Sequence, residues 1–141
     1  MREIKFRVWQ KSLKRFMSQY YDGGERIVMS LEGKPLEWDE MKNLREMSDD
    51  FVVQQYTGLK DKNGKGIYEG DIIQWSDDEG ERKAEVKYGI GEFDGGVYKY
   101  AGFYLEGDGR ILEPYEITNM IKHKEYYSYK VVGNIFEGVD K

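Results

Sequence analysis

Cysteine is absent from this 141-residue chain, histidine occurs once and proline only twice. Without cysteine there is no disulfide framework, no thiolate zinc site and no thiol nucleophile, so folding rests on burial and backbone pairing. That fits a reducing, cytoplasmic compartment. No run approaches the ~20 consecutive apolar residues that span a bilayer. The start, Met1-Arg2-Glu3-Ile4-Lys5, lacks the apolar core of a secretory signal, so no membrane partner is expected. Excess positive charge is missing too. The 22 Lys and Arg stand against 27 Asp and Glu, a net of −5 that supplies no general attraction to phosphate backbones. Both signs are interleaved along almost every segment, so solubility accounts for the acidic balance better than mimicry of nucleic acid does.

Aromatic residues are abundant at 15%, with 12 tyrosines beside 17 glycines, a composition that favours strands and tight turns over helices. Ile4, Phe6 and Val8 alternate with Lys5, Arg7 and Trp9, the period of two that marks a strand. Residues 15–20 are its expected hairpin partner, and Ile27 to Leu31 forms a further run that ends in the turn Gly33-Lys34-Pro35. Trp38, Met41, Leu44 and Met47 recur every third residue, from which a short helix is expected. Asn63-Gly64 suits a type I′ hairpin turn. Beyond it, strands are expected around Ile72 to Trp75, Ala84 to Ile90, Gly102 to Leu105, Arg110 to Leu112 and Tyr129 to Phe136, with a second short helix opened by Pro114 and carrying Ile117, Met120 and Ile121. The fold class is therefore mainly β. Five short strands joined by turns suggest a small barrel resembling the Src-homology-3 type, since closure removes exposed edges. The division expected is a β-rich N-terminal lobe over residues 1–53, too small to stand alone, packed on a barrel over 54–141.

The reactive-group inventory is short. His123, between Lys122 and Lys124, is the only imidazole and no GxSxG elbow serves it, so it reads as a surface histidine. Glu69 and Asp71, two apart on a strand, face one side but have no evident pocket to shift their pKa values. From Asp61, positions one, three and six of a calcium loop are filled by Asp61, Asn63 and Gly66. Lys65 and Ile72 occupy positions five and twelve, which removes most of the oxygen cage and leaves a plain hairpin. Gly89, Gly91 and Gly95 miss the dinucleotide fingerprint by one residue. No catalytic residue, metal ligand or cofactor is expected.

Gln55-Tyr56-Thr57-Gly58-Leu59-Lys60-Asp61-Lys62-Asn63-Gly64-Lys65, followed by Ile67-Tyr68-Glu69-Gly70-Asp71-Ile72-Ile73, resembles the signature segment of the YopX family. Ile4 to Trp9 resembles the opening strand of that family, and Val132-Gly133-Asn134-Ile135-Phe136-Glu137 its closing one. Gln10, Gly66 and Gly138-Val139 depart from the family pattern. The resemblance implies a protein encoded by a phage or prophage of Gram-positive bacteria and acting in the host cytoplasm. It brings no catalytic residue to carry over, and its signature positions read as structural.

Tyr126-Tyr127-Ser128-Tyr129, with Tyr98, Tyr100 and Tyr104, remains as a candidate recognition surface. Cross-strand packing of these rings is the plainer use. The function expected is a non-catalytic protein-interaction module that can self-associate. A barrel binding single-stranded nucleic acid by stacking is the alternative, weakened by the want of a basic stripe beyond Lys122, Lys124 and Lys130. An enzyme is a distant third.

Overall fold

The computed structural model describes residues 3–17, 28–32, 34–38, 41, 43–93, 98–107, 110–112 and 129–139. Its contacts divide the chain into two compact units, Lys5–Gln55 and Tyr56–Lys141, the second joined by Met1–Ile4.

In the Lys5–Gln55 unit, β1 (Phe6–Gln10) turns back into β2 (Arg15–Phe16). Only Val8 of the apolar trio Ile4, Phe6 and Val8 is buried, whereas Trp9 on the opposite face is equally buried, its ring edge-on to Phe16 at 4.9 Å. Arg7 lies over Phe16 at 4.5 Å and its Nε donates to Gln54 Oε1 at 2.8 Å. Three further strands, β3 (Val28–Met29), β4 (Pro35–Trp38) and β5 (Leu44–Glu46), form a separate antiparallel sheet. The helix expected over Trp38 to Met47 is therefore not formed. Trp38 closes β4 and stands opposite Leu44 of β5, Glu37 stands opposite Arg45, and the Met47 N–H donates to Pro35 O at 3.0 Å. A segment of about ten residues makes a marginal helix in water, and here cross-strand pairing satisfies the backbone instead. The first half of β6 (Phe51–Lys60) pairs with β1 from Phe6↔Gln55 to Gln10↔Phe51.

In the Tyr56–Lys141 unit, the second half of β6 pairs with β7 (Gly66–Tyr68). The turn between them is not type I′. Gly64 alone takes positive φ, +81°, and the Gly64 N–H donates to Asp61 O, the pattern of a type I turn whose glycine adopts the left-handed conformation. The strands β8 (Asp71–Asp77), β9 (Gly80–Phe93), β10 (Tyr98–Gly107), β11 (Arg110–Leu112), β12 (Lys130–Asn134) and β13 (Gly138–Val139) build an antiparallel sheet of order β11-β10-β9-β8-β12-β13. Its core gathers Ile67, Ile73, Ala84, Val86, Leu105 and Tyr129, with Leu59, Trp75, Phe103 and Val131 packed against them.

Six strands stand where five were expected. Among the described residues no ladder joins β11 to β13, so backbone pairing does not close the sheet into a Src-homology-3 barrel. Every regular element described is a strand. The helix expected after Pro114 lies outside the described residues.

Candidate interaction surface

The signature segment spends its polar groups on its own backbone. Asp61 is 6% exposed: its Oδ1 accepts the N–H groups of Asn63 and Lys65, each at 2.9 Å, and its Oδ2 accepts that of Val131 at 2.9 Å. One carboxylate thus shapes the turn and anchors the start of β12. The Lys62 N–H donates to Tyr129 O at 3.2 Å, and the Tyr129 hydroxyl donates to Lys60 O at 3.2 Å, which tightens the same junction. Thr57 Oγ1 donates to Ile67 O at 2.7 Å and accepts from Leu59 N, beside Gly58 at φ +88°. Asp71, at 1% exposed the most buried polar residue among those described, accepts the Tyr68 N–H on Oδ2 at 2.8 Å, and the Tyr68 ring tilts against buried Tyr56 at 5.2 Å. Gly70 donates to Val86 O and accepts from Ile135 N, tying the β7–β8 corner to β9 and to the chain after β12. There, Asn134 Oδ1 accepts the N–H groups of Phe136 and Glu137, both at 2.9 Å, while Nδ2 donates to Glu137 Oε1. Gly133 has no room for a side chain, because a Cβ there would collide with the Gly138 carbonyl and lie 2.7 Å from Val139 Cα.

This arrangement fixes backbone rather than reactants. The oxygens of Asp61 accept N–H bonds from three backbone groups, and Asp71, beside half-buried Glu69, holds a turn amide. Among the described residues no group of three or more His, Asp or Glu side chains converges as a metal site. His123 lies outside the described residues.

The tyrosines are dispersed. Tyr129 is 3% exposed and belongs to the core, where burial and then the nearby Asp61 charge push its phenol above the usual 10.0. Tyr126 and Tyr127 lie outside the described residues. Tyr98, Tyr100 and Tyr104 occupy alternate positions of β10, opposite Phe93, Gly91 and Lys87 of β9. Lys87 holds Glu106 at 2.7 Å and lies 3.7 Å from Glu85, and the Glu106 hydrogen bond chiefly raises its pKa above 10.5.

These tyrosines sit on an unusual element. Strand β8 pairs with β9 only as far as Glu85, the Val86 carbonyl is taken by Gly70, and β11 pairs with β10 only from Leu105. From Lys87–Phe93 against Tyr98–Tyr104, seven registered pairs form a two-stranded ribbon, and among the described residues no third strand joins either edge. Tyr88 at its base is 58% exposed, edge-on to Phe103 at 5.0 Å. Sequence reading took β9 and β10 as two ordinary strands. The signal was present in the sequence as Asp94-Gly95-Gly96, residue types that favour turns, between two stretches that both carry aromatic residues. In the other unit, Trp38 and Leu44 face each other while 40% and 45% exposed, a pair hidden by the helical reading.

Comparison with known proteins gives one family and two solved structures of interest. The family model described as YopX protein matches residues 5–139. The crystal structure of protein EF1440 from Enterococcus faecalis is 24% identical with a TM-score of 0.48, and that of protein yopX from Bacillus subtilis is 18% identical with a TM-score of 0.49; each alignment covers 96% of this chain and 94% of the other. No curated protein matches the chain. With its signature segment laid out as a backbone-tying network and the match running almost from end to end, the chain belongs to the YopX protein family.

Proposed function

We propose that this protein is a non-catalytic interaction module, encoded by a phage or prophage and acting in the host cytoplasm, whose β9–β10 ribbon engages another protein. The observation that carries this reading is the ribbon itself. A two-stranded hairpin is at best marginally stable in water, and this one is rich in aromatic residues and carries glycines at three central positions, Gly89, Gly91 and Gly102. Burial against a partner is the natural source of the missing stabilisation. On this reading the six-stranded sheet is a curled scaffold of the Src-homology-3 kind that holds the ribbon at its base.

Charge disfavours a nucleic-acid partner. The Lys5–Gln55 unit holds nine basic and nine acidic residues, so the other unit, with 13 basic and 18 acidic, carries the whole net charge of −5. The test compares the native chain with Tyr98→Ala/Tyr100→Ala/Tyr104→Ala in binding assays against itself and against proteins from a host carrying the prophage. Saturable binding lost in the variant, with a cooperative thermal transition kept, supports the ribbon. Salt-steep binding of a single-stranded oligonucleotide, or a reproducible rise in melting temperature with a nucleotide or divalent metal, overturns the reading.

A further inference from the structure

The outer edge of β10 begins and ends in tyrosine about a central alanine. Between Tyr98 and the point where β11 takes over at Leu105, the strand reads Tyr98-Lys99-Tyr100-Ala101-Gly102-Phe103-Tyr104, with Ala101 at its centre. A two-fold axis perpendicular to a sheet pairs antiparallel strands from two copies, and directly opposed residues must share a face, so their numbers differ by an even count. Any axis through a residue meets that condition, and one at Ala101 brings all seven positions from Tyr98 to Tyr104 opposite one another.

We infer that two copies of this chain associate by antiparallel pairing of their β10 edges about Ala101, giving a continuous four-stranded sheet β9-β10-β10-β9. This rests on the reading of the ribbon as an interaction element and names its partner. In this register Tyr98 of one copy stands opposite Tyr104 of the other, an aromatic pair made twice. Tyr100 stands opposite Gly102, so each glycine is matched by a large ring, and Lys99 stands opposite Phe103. Ala101, with only a methyl group, meets its own copy at the axis, and no like charges are opposed.

Long-range electrostatics agree. Residues 87–104 contain Lys87, Lys99, Glu92 and Asp94 and are neutral in total, and Lys99 is already opposite Glu92 within the ribbon. The ribbon is therefore the neutral part of a unit that carries −5, so its pairing adds no local like-charge repulsion between two acidic molecules. A strand edge that no described strand pairs is a template for a further strand, and the sequence of this one has neither proline nor closely spaced charges to block it.

The absence of cysteine makes the test clean, because an introduced thiol is the only one. Opposed residues in an antiparallel pair lie about 4.5–5.5 Å apart at Cα, inside the range of about 4.4–6.8 Å that a disulfide spans. Ala101→Cys should cross-link to its copy under oxidised glutathione. Lys99→Cys, whose two copies lie four residues apart along the strand, or roughly 13 Å, should not. Light scattering on the native chain should give twice 16.6 kDa, falling to 16.6 kDa in Ala101→Lys, which keeps a cooperative thermal transition whose midpoint no longer rises with protein concentration. A monomeric native chain, equal cross-linking at positions 99 and 101, or a dimer untouched by Ala101→Lys overturns the inference. If the native chain is monomeric yet binds a host protein through the ribbon, the interaction reading survives and the second-copy partner falls. If neither association is found, both fall.

Discussion

Replacing Asp61 with asparagine changes one oxygen to an amide nitrogen and should destabilise the protein almost as much as alanine does. The carboxylate accepts three backbone N–H groups, two at the exposed turn residues Asn63 and Lys65 and one at half-buried Val131. A hydrogen bond to a charged acceptor contributes about 1.5–3 kcal/mol, while amides at an exposed turn recover most of that from water when the acceptor is removed. The Val131 amide recovers less, so Asp61→Ala should cost roughly 2–4 kcal/mol. Asparagine does not rescue it. With its oxygen toward the turn, its NH₂ meets the Val131 N–H, donor against donor. With the amide reversed, the NH₂ faces two N–H groups at once. Urea unfolding should therefore give Asp61→Asn a loss of about 2–3 kcal/mol with an unchanged m value, and a fall in melting temperature on the order of 10 °C. Asp61→Asn within about 0.5 kcal/mol of the native chain, while Asp61→Ala loses several, would refute the three-amide account, because one oxygen would then suffice.

Gly133→Ala drives a methyl group into the Gly138 carbonyl and Val139 Cα; backbone on both sides leaves little to give, so a loss of at least about 2 kcal/mol is expected in urea unfolding. The Asp50 carboxylate accepts the Ser12 hydroxyl and, at 2.9 Å, the Ser12 N–H, and that hydroxyl bond chiefly holds its pKa below 3.8. A depressed carboxylate contributes stability present above its unfolded pKa and lost as pH falls through the folded value. Carbon-detected NMR titration should show the Asp50 value moving up toward 3.8 in Ser12→Ala. Tyr129 has the opposite sign: its raised pKa means its contribution is intact below 10.0 and lost as pH rises through the folded value. Absorbance titration of phenolate should show one tyrosine ionising late and exposed as unfolding begins, a component missing from Tyr129→Phe.

How far the fold could be read depended on how local its cause was. Strands β8 to β12 follow from alternation and turn residues, because Ile73, Ala84, Val86 and Leu105 all reach one core at a period of two. Trp38 to Met47 failed because spacing of three satisfies a helix stripe loosely, whereas the deciding fact, Trp38 opposite Leu44, is a relation across a hairpin. At Asn63-Gly64 both turn types ask for glycine, and the choice between them was made by Asp61, whose bond to Val131 spans 70 residues. The edges of the sheet were illegible for the same reason: alternation identifies strands but not which of them end up at the margin. The separation of Tyr129 from Tyr98, Tyr100 and Tyr104 likewise lies in pairing.

The signature segment and the ribbon draw on different physical resources, and that separation makes the functional proposal testable. Asp61, Asp71, Gly133 and Asn134 are committed to backbone atoms of their own chain, so changing them moves stability. Among the described residues the ribbon beyond Lys87 shares no ladder with the six-stranded sheet except through its own two strands, and Phe103 at its base packs against the core. On the proposed reading, changes at Tyr98, Tyr100 or Ala101 act on association and lower stability only by what association contributes. A two-stranded ribbon is marginal by itself, so strand pairing over seven positions calls for a further source of stabilisation, and a second β10 edge supplies one in which rings oppose rings or glycine and no charge opposes its like.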